Sequence, residues 1–379
     1  MTEMNKDRKI QVSHLSSVHP FFDTRILLKQ CKSLEQAGFK VTLTARKEDG
    51  LRETIDGVDV IPFPIYRNRL KRILLSPFKM VGMARKQKAD IYHFHDPELL
   101  PVGVMLKLLG KKVIYDVHED YSKQLLYKPW LKSRVLKRIM AGSFRLFEKV
   151  SILFIDRIVA ATPDIATRFP ARKTVTVRNV PMLNLIRERA PFERDEEMKK
   201  TGAVIIYAGS LAGVRGTKEI IEAMAMLEKP AQLWLLGKWE SNAFAESCAK
   251  LDGWKHVKYL GFTTPAEVYG YMKAADIGLS VLYPIKNYLT SLPVKAFEYM
   301  ACGVPMIMSD FPFWQEIFGD CAMFTDPREA EKIAAQINIL LNDKELAGGM
   351  SRKGEALVIK HYSWEEEKKN LINIYEEIA

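Results

Sequence analysis

Short apolar segments alternate with amphipathic segments along both halves of this chain of 379 residues. Amphipathic segments at 24–37 and 99–109, each followed by a glycine, predict helices in the first half. The apolar segments around them predict strands at 10–15, 40–45, 89–94, 112–117, 159–160 and 175–177. Continuous apolar strands that alternate with helices are typical of an α/β fold, in which helices cover both faces of a parallel sheet. The pattern therefore predicts a doubly wound parallel sheet for this half.

The same alternation restarts in the second half. Strands are predicted at 203–207, 232–236, 257–259, 277–281 and 305–308, with helices at 216–227, 243–250, 265–274 and 294–301. The last two predicted helices are amphipathic and cover 330–341 and 364–378. The stretch 181–202 is highly charged, contains two prolines and predicts an interdomain linker. We therefore expect two Rossmann-like domains, 1–180 and 203–360, followed by a C-terminal helical segment, 361–379.

Composition excludes several other classes of protein. Hydrophobic residues make up 47% of the chain and charged residues 27%, so each domain can bury a core. The four cysteines are far apart and form no CxxC pair, which argues against a disulfide scaffold or a zinc finger. The polar N-terminus and the lack of a long apolar run predict neither a signal peptide nor a spanning helix. We expect a cytoplasmic protein.

The positive charge is confined to the first half of the chain. Residues 1–180 hold 34 Lys and Arg against 18 Asp and Glu, a net charge of +16, whereas residues 181–379 carry −5. A basic half indicates an anionic partner, which could be nucleic acid, an anionic membrane or a phosphorylated substrate. No helix–turn–helix, aromatic RNA-binding motif or zinc module accompanies the charge, so we expect no nucleic-acid partner.

Two stretches, 66–88 and 123–149, each hold eight Lys or Arg, and their only acidic residue is Glu148. In the second stretch apolar residues recur at helical spacing beside cations: Trp130, Leu131, Val135, Leu136, Ile139 and Met140 beside Lys132, Arg134, Lys137 and Arg138. This pattern is typical of a helix that lies in the plane of an anionic membrane surface. The alternative is a core helix whose cations are simply solvated.

The segment 207–220 (YAGSLAGVRGTKEI) joins a strand end, a loop of small residues and the start of a helix. Gly209 and Gly216 would let backbone N–H groups approach an anion, and the N-terminus of the helix adds a positive field. Arg215 can bind a phosphate through two parallel hydrogen bonds. The alternative is an ordinary turn with a surface arginine.

The segment 291–307 (SLPVKAFEYMACGVPMI) predicts a helix that begins near Pro293 and ends before Gly303. Lys295 and Glu298 are three residues apart and therefore share a face of that helix. The Glu298 carboxylate could accept hydrogen bonds from the two hydroxyls of a ribose. The alternative is a solvated pair of charges.

Three histidines lie at or near predicted strand ends in the first half. His93 and His95 alternate onto one face of a strand and precede Asp96, an arrangement compatible with metal ligation. No motif for a third ligand accompanies them, and we predict no metal site. His118 follows the strand 112–117, where active-site side chains of parallel sheets lie. The alternative for His118 is a histidine satisfied by local backbone.

These segments, in their order and spacing, resemble glycosyltransferase family 4, whose members are retaining enzymes of the GT-B fold. That family typically shows a Gly-Arg-Leu…Lys-Gly loop and, later, Glu-x7-Glu followed by Ala-Met-Ala-x-Gly-x-Pro. This chain has Gly209-Ser210-Leu211 with Arg215-Gly216, and Glu298-Tyr299-Met300-Ala301-Cys302-Gly303-Val304-Pro305. The stretches 17–25, 91–101, 113–121 and 361–378 are similar to the family as well. The resemblance implies two Rossmann-like domains that face each other across a cleft.

The resemblance also implies roles for individual residues. His118 would contact the donor sugar, and Arg215, with the backbone N–H groups after Gly209, would stabilise the departing diphosphate. Glu298 would hold the ribose. The remaining donor contacts are implied in loops, at Gly237 and Phe262 around the base and at Ser291 and Leu292 near the sugar.

Two departures from the family pattern affect the donor site. Thr290 stands where the family has its first glutamate, and Ser210 stands where it has an arginine. Lys295 is expected to replace that arginine in part, because it lies on the first turn of the helix that presents Glu298.

The function implied is retaining transfer of a sugar from a nucleoside-diphosphate sugar, with a UDP-sugar as the first choice, to an acceptor hydroxyl. The chain contains no Asp-x-Asp motif, and we expect neither a cofactor nor a divalent metal. A lipid-linked acceptor or another glycan precursor at the cytoplasmic face of the membrane would explain the basic first half. Two alternatives remain, a GT-B sugar-nucleotide epimerase and a non-catalytic sugar-nucleotide-binding protein.

Overall fold

The computed structural model of the protein describes residues 8–66, 68–127, 133–194, 196 and 200–379. The described chain forms two compact α/β units, each with its own sheet. The first unit runs to Asn179 and includes Glu365–Ala379, and the second unit comprises Val180–Trp364. Three residues of the basic pattern noted in the sequence, Trp130, Leu131 and Lys132, lie outside the described residues.

The sheet of the first unit follows the strand order β3-β4-β2-β1-β5-β6-β7-β8. The strands are β1 (Gln11–Pro20), β2 (Lys40–Arg46), β3 (Glu53–Ile55), β4 (Val58–Phe63), β5 (Ile91–Phe94), β6 (Lys112–Val117), β7 (Arg157–Ala160) and β8 (Thr174–Thr176). Every neighbouring pair is parallel except β3 with β4. The strands that follow β1 in sequence extend the sheet to one edge, and those that follow β5 extend it to the other edge. The carboxyl ends of β1 and β5 therefore mark the switch point, where such sheets bind ligands.

Helices cover both faces of this sheet. Those of the first half of the chain are α1 (Lys32–Gln36), α2 (Arg69–Gln87), α3 (Leu100–Leu108), α4 (Tyr121–Tyr127), α5 (Arg134–Ser151) and α6 (Pro163–Ala166). The apolar core between them includes Phe94, Leu106 and Tyr115, all buried. A doubly wound parallel sheet, as predicted, is therefore present in this unit.

The sheet of the second unit follows the order β11-β10-β9-β12-β13-β14 and is parallel throughout. Its strands are β9 (Ala203–Ala208), β10 (Ala231–Leu236), β11 (Val257–Gly261), β12 (Ile277–Ser280), β13 (Met306–Ser309) and β14 (Ala322–Thr325). This is the Rossmann order, and its switch point lies between β9 and β12.

The described helices of the second unit bury the apolar strands on both faces. They are α7 (Leu183–Glu188), α8 (Thr217–Met224), α9 (Asn242–Cys248), α10 (Pro265–Lys273), α11 (Lys286–Leu289), α12 (Val294–Ala301), α13 (Pro312–Phe318), α14 (Ala330–Asn342) and α15 (Lys344–His361). One core cluster joins α10 and α12 to one face of the sheet, and another joins α8 and α14 to the other face. A final helix, α16 (Trp364–Ile378), belongs to the first unit from Glu365 onward.

The structure differs from the prediction at several elements. Strands β3, β4 and β14 and the long helices α2 and α15 were not predicted. The stretch 181–202 was predicted as a linker, but α7 within it buries Leu183 and Ile186 in the core of the second unit. The helix predicted at 24–37 is π-helical over Thr24–Cys31 and α-helical only afterwards. The side chain of Asp23 caps this π-helical segment by accepting hydrogen bonds from the backbone N–H groups of Arg25 and Ile26.

None of the described helices has both the length and the apolar content that a transmembrane helix needs.

Candidate functional site

Two glycines bring the loops after β9 and β10 into direct contact at the switch point of the second unit. The Gly209 N–H donates to the Leu236 carbonyl at 2.8 Å, and the Gly237 N–H donates to the Gly261 carbonyl at 2.7 Å. Gly237 has a φ of +143°, and a Cβ there would lie 1.8 Å from the Gly209 carbonyl oxygen. Only glycine permits this approach, so Gly237 is needed for the loop geometry.

Arg215 ends a short turn before α8 and is held against two tyrosines. Its guanidinium carbon lies 5.8 Å from the centre of the Tyr288 ring. Although burial opposes it, Tyr207 and Tyr288 raise the pKa of Arg215, so this residue keeps its positive charge. The sequence predicted Arg215 as an anion-binding residue of this loop, and the structure places it beside two tyrosines that were not predicted.

Lys295 lies on the first turn of α12, and its ammonium group faces the glycine loop. Its Nζ is 3.6 Å from the centre of the Tyr207 ring and 3.0 Å from the point that a Cβ on Gly209 would occupy. This Nζ is buried and has no hydrogen-bond partner among the described residues. Burial, and then the charge of Arg215, hold the pKa of Lys295 well below its ordinary value, while Glu298 acts in the opposite direction.

Tyr207, at the end of β9, connects these groups. Its hydroxyl donates to the Ser210 carbonyl at 3.1 Å, its ring supports Lys295, and it interacts electrostatically with Arg215. Burial raises the pKa of Tyr207 to about 12, so the hydroxyl remains a neutral donor. Tyr207 lies in a predicted apolar strand, and no sequence pattern indicated that its side chain belongs to the candidate site.

Glu298 lies one turn further along α12 and accepts a hydrogen bond from the Tyr269 hydroxyl at 3.1 Å. Burial and the neighbouring Glu298 raise the pKa of Tyr269, so its hydroxyl also remains protonated. The next residue, Tyr299, fixes the height of α12 against the sheet, because its hydroxyl accepts from the Ala208 N–H at 3.2 Å. Gly278 on β12 makes room for this ring, since a Cβ there would lie 2.6 Å from it.

The other predicted contacts lie in loops around this centre. Phe262 is exposed, and Lys238 Nζ lies 4.4 Å from its ring centre. The Ser291 carbonyl accepts a hydrogen bond from Trp314 Nε1 at 2.8 Å, and Leu292 packs against the core. Thr290, which stands at the position of the missing glutamate, directly follows α11.

His118, in the first unit, points toward a buried cluster at the ends of β1, β5 and β6. Its Nε2 lies 2.9 Å from Asp116 Oδ2, and its side chain is 19% exposed. Asp116 also receives hydrogen bonds from Arg25, at 2.9 and 3.2 Å, and from Gln30 at 2.7 Å. Although burial opposes it, Arg25 and His118 hold the pKa of Asp116 well below its usual range, so the carboxylate is ionised.

Two groups in this cluster have the spacing of metal ligands: His14, His93 and His95, and His95, Asp116 and His118. No sequence motif supplies a third ligand beside His93 and His95. The structure supplies His14, because β1 and β5 are neighbours and pair His14 with His93 in register. Sequence spacing could not show this, since the pairing depends on strand order.

Proteins with similar sequences are glycosyltransferases. The chain is 27% identical to the O-antigen chain mannosyltransferase B of Escherichia coli over 45% of each chain. It is 25% identical to the lipopolysaccharide core biosynthesis glycosyltransferase LpsE of Rhizobium meliloti over 90% of this chain and 92% of that protein. A third relative, 26% identical over 41% of this chain and 39% of the relative, is the N,N'-diacetylbacillosaminyl-diphospho-undecaprenol alpha-1,3-N-acetylgalactosaminyltransferase of Campylobacter jejuni. The chain thus spans less than half the length of the first and third relatives.

Solved structures share the fold. Sucrose-phosphate synthase from Thermosynechococcus elongatus superposes with a TM-score of 0.77 at 17% identity, covering 98% of this chain and 99% of that one. HepE of Anabaena, in complex with UDP and glucose, superposes with a TM-score of 0.70 at 15% identity, covering 97% of this chain and all of that one. These likenesses establish a GT-B fold.

Two family models divide the chain between the two units. The model described as Glycosyltransferase Family 4 matches residues 24–179, and the model described as Glycosyl transferases group 1 matches residues 188–357. The matches fall within the first and second units respectively. The chain is therefore a glycosyltransferase of the family-4 type with the GT-B fold.

Proposed function

We propose that this enzyme transfers a sugar, with retention of configuration, from a nucleoside-diphosphate sugar to an acceptor at a membrane surface. The observation that carries the donor half of this proposal is the buried Lys295 Nζ, which has no hydrogen-bond partner among the described residues. A buried amine without a hydrogen-bonded anion is costly, because burial disfavours its charged form and the charge of Glu298 offsets this only in part. An anion at this point would supply the missing partner.

The diphosphate of a donor satisfies this requirement. The Gly209 loop would offer backbone N–H groups, and Arg215 and Lys295 would offer two cations that both contact Tyr207. Negative charge grows on the diphosphate as the glycosidic bond breaks, so preorganised cations favour the transition state over the bound substrate. Lys295 would thereby take over the role of the arginine that Ser210 replaces.

Glu298 and the surrounding loops would bind the nucleoside. The two carboxylate oxygens can accept hydrogen bonds from both ribose hydroxyls. The Tyr269 hydroxyl holds one of these oxygens in place. Phe262 would stack on the base. Gly237 would line the same site and keeps its loop in contact with the Gly209 loop. UDP is the first choice of nucleotide, since the HepE structures, which share the fold, contain UDP or UDP-glucose.

Retention would proceed without a nucleophilic side chain. The acceptor hydroxyl would attack from the face on which the diphosphate leaves, and a leaving oxygen would take its proton. The enzyme would then supply positioning and charge stabilisation, with His118 contacting the sugar. No step in this scheme uses a divalent ion, so turnover should survive chelation of divalent metals.

The acceptor half of the proposal rests on exposed apolar residues of three helices in the first unit. Helix α3 packs against both α2 and α5. Each exposes large apolar side chains, among them Phe78 on α2 (80% exposed), Leu108 on α3 (71%) and Val135 on α5 (66%). We call α2, α3 and α5 the basic apolar helices. Val135, Leu136 and Ile139 on α5 are exposed, whereas Phe144 packs against the core of the unit. The exposed part of the stripe supports a surface role for the N-terminal half of α5.

The charges on the basic apolar helices favour an anionic lipid surface as the partner. Lys137, Arg138 and Lys149 lie on α5, and Glu148 does not offset them because it is buried and bonds Arg168 at 2.6 Å. Lys and Arg near an anionic surface contribute about 1 kcal/mol each, and apolar side chains add their burial in the interface. A lipid-linked or glycan acceptor at the cytoplasmic face fits this surface, and the names of the relatives concern lipopolysaccharide, O-antigen and an undecaprenol-linked glycan.

A donor screen tests the proposal. UDP-, GDP- and ADP-sugars are offered with a lipid-linked acceptor, and sugar transfer is measured beside donor hydrolysis and beside interconversion of the free donor. We expect transfer from a UDP-sugar and a loss of at least about a hundredfold in Arg215→Ala, the scale of removing one preorganised charge stabiliser. Epimerisation of the free donor would favour the sugar-nucleotide epimerase, and binding without transfer or hydrolysis would favour a non-catalytic protein.

A further inference from the structure

A continuous chain of hydrogen bonds runs through the first unit from the C-terminal helix to His118. His93 Nδ1 lies 2.7 Å from the Tyr375 hydroxyl, which lies 3.1 Å from His14 Nε2. The chain continues from His14 Nδ1 to His95 Nε2 at 2.9 Å, and from His95 Nδ1 to Asp116 Oδ2 at 3.1 Å. Apart from His118, every member is buried.

The ionised Asp116 fixes the direction of each bond. A carboxylate only accepts, so His95 must donate from Nδ1 and His118 from Nε2. A neutral His95 then has an unprotonated Nε2, which accepts from His14 Nδ1–H. The Tyr375 hydroxyl in turn donates to His14 Nε2 and accepts from His93 Nδ1–H. Each nitrogen of the buried rings thus has one assigned role except His93 Nε2, which has no hydrogen-bond partner among the described residues.

The buried histidines are neutral, as this assignment requires. Burial lowers the pKa of His14, His93 and His95, and neighbouring histidines lower it further. Asp116 contacts His95, and Arg25 already pairs with its carboxylate at 2.9 Å. A second positive charge in this cluster is therefore unfavourable.

A bound metal ion explains the positions of these side chains less well than hydrogen bonding does. Two imidazole nitrogens on one tetrahedral zinc ion would lie about 3.3 Å apart, given Zn–N bonds of 2.0–2.1 Å. His14 and His95 instead approach to 2.9 Å, a hydrogen-bond distance, and Tyr375 bridges His14 and His93. At the other group, the Arg25 guanidinium lies beside the only carboxylate that could ligate a cation.

We propose that Asp116 is a positioning residue that holds His118 in the Nε2–H tautomer, so that Nδ1 presents a lone pair to a hydroxyl of the donor sugar. The inference rests on the proposed sugar contact of His118. The carboxylate is supported by the hydrogen bonds that run from His95 through His14 to Tyr375. Tyr375 lies on α16, so this helix takes part in the arrangement. Without the carboxylate, His118 would be free to exchange tautomers and to rotate.

The test is the protonation state of the histidine rings in the full-length protein, read from the ¹⁵N shifts of selectively labelled histidine at neutral pH. The His118 signals are assigned by comparison with His118→Ala. We expect His118 to be protonated on Nε2 alone and His14, His93 and His95 on Nδ1 alone. A His118 protonated on Nδ1 or on both nitrogens overturns the proposal, as does one equivalent of tightly bound metal in the purified protein.

Two variants separate positioning from structural support. Asp116→Asn should mix the His118 tautomers and lower kcat for transfer about tenfold while leaving the Kd for UDP unchanged. Tyr375→Phe is the matched control, in which only the His14 and His93 signals should change. An Asp116→Asn protein with an unaltered His118 spectrum overturns the inference. If this variant does not fold, the wild-type spectrum still shows which nitrogen of His118 carries the proton and therefore still tests the inference.

These readouts also separate this inference from the proposed function. Failure to use any UDP-, GDP- or ADP-sugar would reject the proposed function, whatever the tautomer. Turnover of a UDP-sugar by a protein with His118 protonated on Nδ1 would reject only the positioning role of Asp116.

Discussion

At the scale of single residues, Lys295 combines deep burial with an ionisable amine. Its Nζ is buried on the Tyr207 ring without a hydrogen-bond partner among the described residues. Because its pKa is lowered in the folded protein, the folded state binds fewer protons than the unfolded state between the lowered pKa and the ordinary value of 10.5. The free energy of unfolding must therefore rise with pH across that window.

We predict that Lys295→Met raises the stability of the ligand-free protein and flattens this dependence on pH. The same variant should bind UDP at least about tenfold more weakly, since it loses a charge-assisted bond. Chemical denaturation over a series of pH values and calorimetry with UDP provide the two measurements. A variant that loses stability and keeps its UDP affinity would contradict the anion-binding role.

Glu298 allows a conservative test of ribose binding. Glu298→Gln keeps the shape of the side chain and an oxygen for the Tyr269 hydroxyl, but removes the negative charge. Charge-assisted hydrogen bonds contribute roughly 1.5–3 kcal/mol, so we expect the Kd for a UDP-sugar to rise about tenfold or more, without unfolding. Isothermal titration calorimetry measures this change, with the exposed Glu316→Gln as control. Equal affinities in the two variants would remove Glu298 from the site.

The sequence predicted those candidate site residues that belong to a contiguous motif. Gly209, Arg215 and Glu298 could be proposed because their spacing along the chain is itself the signal. Tyr207 and His14 could not be found in this way. Each reads as part of a buried strand, and its neighbours at the site depend on how strands and helices pack.

At the scale of elements, the strands and helices with clear periodicity were predicted closely, and those with conflicting local signals were missed. Helix α15 contains Gly348, Gly349 and Gly354, which lower helix propensity. Its packing supplies the stabilisation instead: Val358 is fully buried, and Gly354 lies so close to α12 that a Cβ would be 3.0 Å from Met300. Strand β4 contains Pro62, which argues against a strand unless its pairing allows for it.

The basic apolar helices give the next prediction. Lys137→Glu with Arg138→Glu on α5 should weaken binding to vesicles that contain anionic lipid, and high salt should weaken wild-type binding likewise. Phe78→Ser on α2 should reduce binding at both salt concentrations, because it removes apolar burial. Co-sedimentation measures both effects.

The matched control for the charge reversal is Lys250→Glu with Lys255→Glu. These residues are exposed in the second unit, so the control changes the net charge equally. If both double variants lose binding to the same extent, the effect comes from net charge and not from a surface on α5.

Helix α16 should matter for the stability of the first unit. It buries Leu371, Ile374 and Tyr375, and its Glu367 accepts a hydrogen bond from Arg178 Nε at 2.6 Å. We expect Ile374→Ala to lower the free energy of unfolding by about 2–5 kcal/mol through loss of burial and a residual cavity. Asn373→Ala, on the exposed side of the same helix, is the control. Denaturation of the two variants with equal midpoints would show that α16 contributes little.

At the scale of the whole molecule, the two units should respond differently to the nucleotide. The residues proposed to bind UDP belong to the second unit, so UDP at a hundred times its Kd should stabilise that unit by about 2.7 kcal/mol. Hydrogen exchange should slow in peptides around Gly209, Lys295 and Glu298. Equal protection across the first unit would instead indicate that UDP binds there.

The position of α16 along the chain also affects how the protein is made. The ribosome must synthesise the whole second unit before it reaches Tyr375, whose side chain completes the buried core around His14 and His93. The first unit therefore emerges first but reaches its native packing last, while the second unit, continuous in sequence, can fold as soon as it leaves the exit tunnel. Until then the nascent chain exposes an unfinished apolar surface that chaperones can recognise. A nascent chain that stalls before α16 therefore remains a substrate for quality control.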